Sequence, residues 1–89
     1  MKRKIPESIT IGGLEIKVQY DEDLTCFGLY NHRNNTITIL ETLSEQQKQT
    51  TLIHEALEAI KFIYEIDLPH ETLCVIEVAL FSGGFWINE

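Results

Sequence analysis

The hydrophobic pattern of this chain changes period at Ser44, and that change restricts it to a fold in which a sheet comes first and helices follow. Upstream, Ile9, Ile11, Leu14, Ile16, Val18 and Tyr20 sit around Gly12-Gly13, whose freedom at positive φ suits a tight hairpin turn. Beyond the acidic turn Asp21-Glu22-Asp23, Cys26 to Tyr30 and Thr36 to Leu40 form a second strand pair joined by Asn31-His32-Arg33-Asn34-Asn35. The first half therefore predicts a small, mostly antiparallel β-sheet.

Downstream, Ser44 followed by Gln47 reads as a capping box, in which two side chains satisfy the free amides of a helix start. Leu52, Ile53, Ala56, Leu57, Ile60, Ile63 and Tyr64 then recur at three- and four-residue spacing, predicting an amphipathic helix to about Ile66. Asp67-Leu68-Pro69 breaks it, because proline lacks the amide donor and disfavours helical geometry in the residue before it. A shorter helix from Glu71 to Phe81 follows, with Leu73, Ile76 and Leu80 on its apolar face and Gly83-Gly84 as its stop. Phe85-Trp86-Ile87 is an apolar tail. The expected architecture is one α+β domain over residues 1–89, its sheet carrying a long helix and a shorter antiparallel one.

Charge narrows the partners. The chain has 14 acidic and 7 basic residues among its 89, a net charge of -7 that repels phosphate backbones and anionic lipid and favours cations. Nucleic-acid and membrane binding are not expected. Met1-Lys2-Arg3-Lys4 is basic, but Pro6-Glu7-Ser8 follows where a secretory signal needs an apolar run, so a cytoplasmic location is predicted. Cys26 and Cys74 lack Cys-x-x-Cys spacing and read as reduced, partly buried thiols.

The chemistry concentrates in the long helix. His54-Glu55-Ala56-Leu57-Glu58 matches the His-Glu-x-x-His zinc helix with glutamate in place of the second histidine. Residues four apart share a helix face about 6 Å apart along the axis, so His54 and Glu58 point together. In that motif the intervening glutamate is the general base on a metal-activated water, which assigns Glu55 the catalytic role. The competing reading is an ordinary solvated face, because His54, Glu58, Lys61 and Glu65 form one polar stripe opposite the apolar one.

A short connection predicts that the second helix runs back past the first. His54 stands roughly 18 Å of helix from Ile66, so His70, at the near end of the second helix, is the poorer candidate for a shared ion, unless the first helix breaks before Ile66. Glu77 has returned by about 10 Å and is the better third ligand. His54 with two carboxylates is an oxygen-rich donor set, which lowers zinc affinity and makes manganese or iron less disfavoured. His32, among polar turn residues, is assigned no role, and Cys74 is read as a structural thiol although it shares a face with His70 and Glu77.

The order of strand Thr36 to Leu40, capped helix, then Thr51-Leu52-Ile53-His54-Glu55 and a short second helix resembles small phage and prophage metallopeptidase-like proteins of the ImmA/IrrE type over most of the chain. That resemblance implies a minimal zincin-like core and peptide-bond hydrolysis by metal-activated water. It also implies His54 as ligand, Glu55 as general base and Glu77 as third ligand, with zinc or another divalent ion as cofactor. The departure is Glu58, whose negative charge weakens Lewis acidity at the ion. A non-catalytic relative that binds no metal is the alternative: a module holding a peptide or partner protein at a sheet edge, or a homodimer formed through Phe85-Trp86-Ile87.

Overall fold

In a computed structural model, the backbone is described for residues 5–82 and the side chains for residues 5–80. The basic start, the Gly83-Gly84 stop and the apolar tail lie outside the described residues. The order is β1 (Ser8–Ile11), β2 (Leu14–Asp21), β3 (Gly28–Asn31), β4 (Thr36–Leu40), α1 (Glu45–Tyr64) and α2 (His70–Ser82). This is the expected α+β architecture.

Two antiparallel hairpins, β1-β2 and β3-β4, supply the sheet. Gly12 and Gly13, at φ 57° and 81°, turn the first, as a two-residue loop with both central residues at positive φ requires. In the second, the Asn31 side chain accepts from the Arg33 amide and Asn35 takes φ 51°, a left-handed value that asparagine tolerates. The hairpins join through β2 and β4, which pair in parallel, so the sheet is mixed with strand order β1-β2-β4-β3. The sheet is antiparallel at two of its three seams, and β3 is an edge strand.

One face of the sheet carries Ile16 and Val18 of β2 beside Ile37 and Ile39 of β4, and α1 covers it with Leu52 and Ala59. The opposite face is polar, where Gln19 donates to the Thr38 hydroxyl at 3.0 Å. The capping box at Ser44 forms in both directions, and α1 ends where Glu65 adopts φ 53° and its N–H returns to Lys61 and Phe62 carbonyls. Glycine is the usual residue for such a left-handed cap, so this stop carried no signature. α2 then packs on α1, with Leu73 fully buried.

The first residue of α2, His70, reaches the His54 ring, with centroids 5.4 Å apart, instead of standing roughly 18 Å away. The five-residue stretch 65–69 is not helical. At up to about 3.3 Å per residue, such a stretch is long enough to return the chain along α1 past the turns it has just made. Five residues of backbone thus decide which side chains of α2 meet the His-Glu helix.

Candidate metal centre

The meeting point of α1 and α2 is polar and half-buried. His70, Cys74 and Glu77 follow one another at helical spacing on α2, and all three reach the neighbourhood of His54 on α1. The stripe that reads as a solvated face is therefore roofed by α2: the His54 and Glu77 side chains are each 20% exposed and Glu58 33%. Lys61 pairs with Glu58 at 3.5 Å at the margin of the site.

Distances sort these groups into two kinds. Two donors on one tetrahedral zinc, at bond lengths of about 2.0–2.3 Å, stand roughly 3.3–3.6 Å apart. His54 Nε2 and Glu58 Oε2 are 3.6 Å apart, close to that separation. His54 Nδ1 and Glu77 Oε1 are 2.7 Å apart, too close for two ligands of one ion and right for a charge-assisted hydrogen bond. A carboxylate only accepts, so Nδ1–H donates this bond and Nε2 is the ring nitrogen on the side of Glu58.

His70 fills the place that Glu77 leaves. Its ring packs edge-on against His54 with centroids 5.4 Å apart, and His54, Glu58 and His70 each bring a ligand atom within 4.8 Å of the others. The condition that reopens the case for His70, a break in the first helix before Ile66, is met: α1 ends at Tyr64, and residues 65–69 bring the start of α2 back toward His54. Glu77, expected as third ligand, meets the opposite ring nitrogen. A second convergent group, His54, Cys74 and Glu77, lies on that side. The described residues thus hold histidine, glutamate and cysteine groups close enough together to bind a metal ion.

Glu55 points from α1 toward the sheet edge. In the β3-β4 ladder Leu40 N–H donates to the Phe27 carbonyl, and the alternating register turns the amides and carbonyls of Gly28 and Tyr30 outward. Cys26 Sγ meets the Gly28 carbonyl at 3.3 Å, and the Tyr30 amide hydrogen bonds the Glu55 carboxylate. Burial raises the Glu55 pKa above its ordinary 4.5. A protonated His54 and the Tyr30 amide oppose that rise, while the negative charges of Glu58 and Glu77 add to it. Close packing sets the contact, since a Cβ at Gly28 would stand 3.1 Å from Glu55 Cγ.

A pocket opens here between the β3 edge and α1, lined by Leu29, Tyr30, His32, Glu55, Glu58 and Phe62. Phe62 holds its outer wall, stacked on the His32 ring at 4.2 Å and edge-on to Tyr30 at 6.3 Å. His32 is exposed, as its turn position suggests, yet it borders the pocket. The part played by His32, Tyr30 and Phe62 has no local sequence signature, because it depends on where the β3-β4 turn meets α1.

No family model, curated protein or solved structure matches this chain in comparisons with each. None of its helices, among the described residues, is long and apolar enough to cross a membrane.

Proposed function

We propose that this chain is a small zincin-like hydrolase of the phage metallopeptidase type, with His54 Nε2, Glu58 and His70 as its metal ligands and Glu55 as its proton-transfer group. The observation that carries the reading is the convergence of His54, Glu58 and His70. Two histidines and one glutamate are the donor composition of open catalytic zinc sites. The sequence departs from the His-Glu-x-x-His pattern at Glu58, but the missing imidazole is supplied from α2. Histidine and glutamate have exchanged helices, and the charge of the donor set is unchanged.

A divalent ion held there supplies Lewis acidity toward a carbonyl oxygen and a water. The other roles belong to the chain. Glu77 fixes the tautomer and tilt of His54 through the 2.7 Å bond to Nδ1. Glu55 and Glu58 border the same pocket, so Glu55 is placed to accept a proton from water at its carboxylate and return it to a leaving amine. Its raised pKa moves it toward the range in which a carboxyl group both takes and gives a proton near neutrality. A peptide in extended form would pair with the outward groups of Gly28 and Tyr30 on β3, competing with Glu55 for the Tyr30 amide.

The test is metal analysis of protein purified without chelator from cells supplied with zinc, manganese or iron. About one ion per chain is expected in wild type; little is expected in His54→Ala with any of the three, and little in His70→Ala with manganese or iron, which a thiol site does not favour. Absence of stoichiometric metal in wild type under all three supplements overturns the proposal. A second reading, a non-catalytic binding module, draws on the exposed apolar Val75 of α2, which is 68% accessible. It is tested by sizing wild type against a chain ended after Gly84, and a monomer in both cases removes the tail-mediated dimer.

A further inference from the structure

His54 has two nitrogens, and the reading above uses only one. On the Nδ1 side, His54, Cys74 and Glu77 each offer a ligand atom within 4.8 Å of the others, and all three side chains are half-buried. Cys74 lies between His70 and Glu77 on the face of α2 turned to α1, with its sulfur 3.4 Å from His70 Nε2. A cysteine chosen only as a small apolar filler has no reason to sit among an imidazole pair and a carboxylate.

We infer that His54 Nδ1, Cys74 Sγ and Glu77 form a second, thiol-containing site for a soft divalent cation such as cadmium or zinc, alternative to the His54-Glu58-His70 site. The donor chemistry separates the two. A thiolate selects soft ions, whereas two imidazoles and a carboxylate also suit harder ones such as manganese. A neutral imidazole has one lone pair, so an ion on Nδ1 moves the ring proton to Nε2, which faces the Glu58 carboxylate at 3.6 Å. The Cys74 proton is released to solvent as the thiolate forms. The two positions therefore exclude each other: as the ion replaces the proton between Nδ1 and Glu77, these two donors open from 2.7 Å to at least the roughly 3.3–3.6 Å of co-ligands, and the hydrogen bond that orients His54 for the other site is lost.

This inference does not depend on the first site being a metal centre. It is tested by cadmium titration of reduced full-length protein carrying Cys26→Ser, which leaves Cys74 as the one thiol. A near-ultraviolet thiolate-to-cadmium absorption is expected, saturating at one ion per chain. Cys74→Ser abolishes it, Glu77→Gln weakens cadmium binding about 10–100-fold, and Glu58→Gln leaves it in place. Manganese binding is expected to be lost in Glu58→Gln and kept in Cys74→Ser. Absence of the band in the Cys26→Ser protein, or its full strength and affinity in Glu77→Gln, overturns the inference. If manganese and zinc fail at the first site while the cadmium band behaves as described, the hydrolase reading falls and this one stands.

Discussion

Replacing Gly28 by alanine tests the packing that sets Glu55 against the sheet edge. A Cβ at this position would stand 2.5 Å from Thr51 Cγ2, 3.1 Å from Glu55 Cγ and 3.4 Å from the Thr38 carbonyl oxygen. Thr51 is only 6% exposed, and turning its β-branched side chain to the other helical rotamer exchanges methyl and hydroxyl within a packed site. The strand must move from α1 instead. Overpacking of this kind costs about 1–3 kcal/mol. For a domain of this size each kcal/mol lowers Tm by roughly 4–8 °C, so Gly28→Ala is expected to melt on the order of 5–20 °C below wild type. Thr51→Ser removes the obstructing methyl at a cost of about 1 kcal/mol by itself. In the double variant, Gly28→Ala with Thr51→Ser, the methyl introduced on β3 no longer meets that obstacle, so the two changes should couple favourably by about 0.5–3 kcal/mol in urea denaturation. Strictly additive changes, or a Gly28→Ala protein within about 0.5 kcal/mol of wild type, would refute the close approach of β3 to α1.

The remaining expectations concern the site and its supports. Glu77→Gln keeps the shape but loses the carboxylate on Nδ1, so affinity for the ion at His54, Glu58 and His70 should fall about 10–100-fold by metal titration, with the circular dichroism spectrum unchanged. Glu55 has a raised folded-state pKa, so its protonated form is favoured by folding; that stability is fully present below the unfolded pKa near 4.5 and is lost as pH rises through the folded value. Denaturation of wild type and Glu55→Gln across this interval should therefore show the variant gaining relative stability as pH rises, and a constant difference refutes the burial of Glu55. The buried Tyr30 hydroxyl has no hydrogen-bond partner among the described residues, so Tyr30→Phe should leave Tm equal or higher; a fall of several degrees refutes the orphaned hydroxyl. Ser44→Ala removes one half of the capping box and should cost about 1 kcal/mol in denaturation, without altering metal affinity.

What the sequence made legible was whatever depends on near neighbours. Ser44 and Gln47 specify the start of α1 because cap and reciprocal bond lie within one turn. Gly12-Gly13 marks the first hairpin because the φ requirement is local. The parallel pairing of β2 with β4 was not legible, since the same alternating residues serve either direction and the choice is made by long-range register. The end of α1 at Glu65 was missed for a related reason: a charged residue in a left-handed cap imitates a continuing helix.

The site shows how a small uncertainty in path becomes a large one in chemistry. Helical spacing alone put His54 and Glu58 on one face, and the structure keeps them 3.6 Å apart. Which α2 residue completes the set depended on the course of residues 65–69, where neither periodicity nor capping speaks. Had α2 begun beyond the end of α1, His54, Glu58 and Glu77 would have made an oxygen-rich set carrying two carboxylates. As it runs, α2 sets the His70 ring against His54 and leaves Glu77 hydrogen-bonded to Nδ1. Under the proposed reading, that carboxylate would orient the imidazole and raise its basicity instead of adding charge at an ion. Glu58 looked like the loss of a zinc site when read within α1. Read across both helices, a histidine and a glutamate stand within reach of His54, the glutamate on its Nε2 side, so the donor set proposed above is complete without a second histidine on α1.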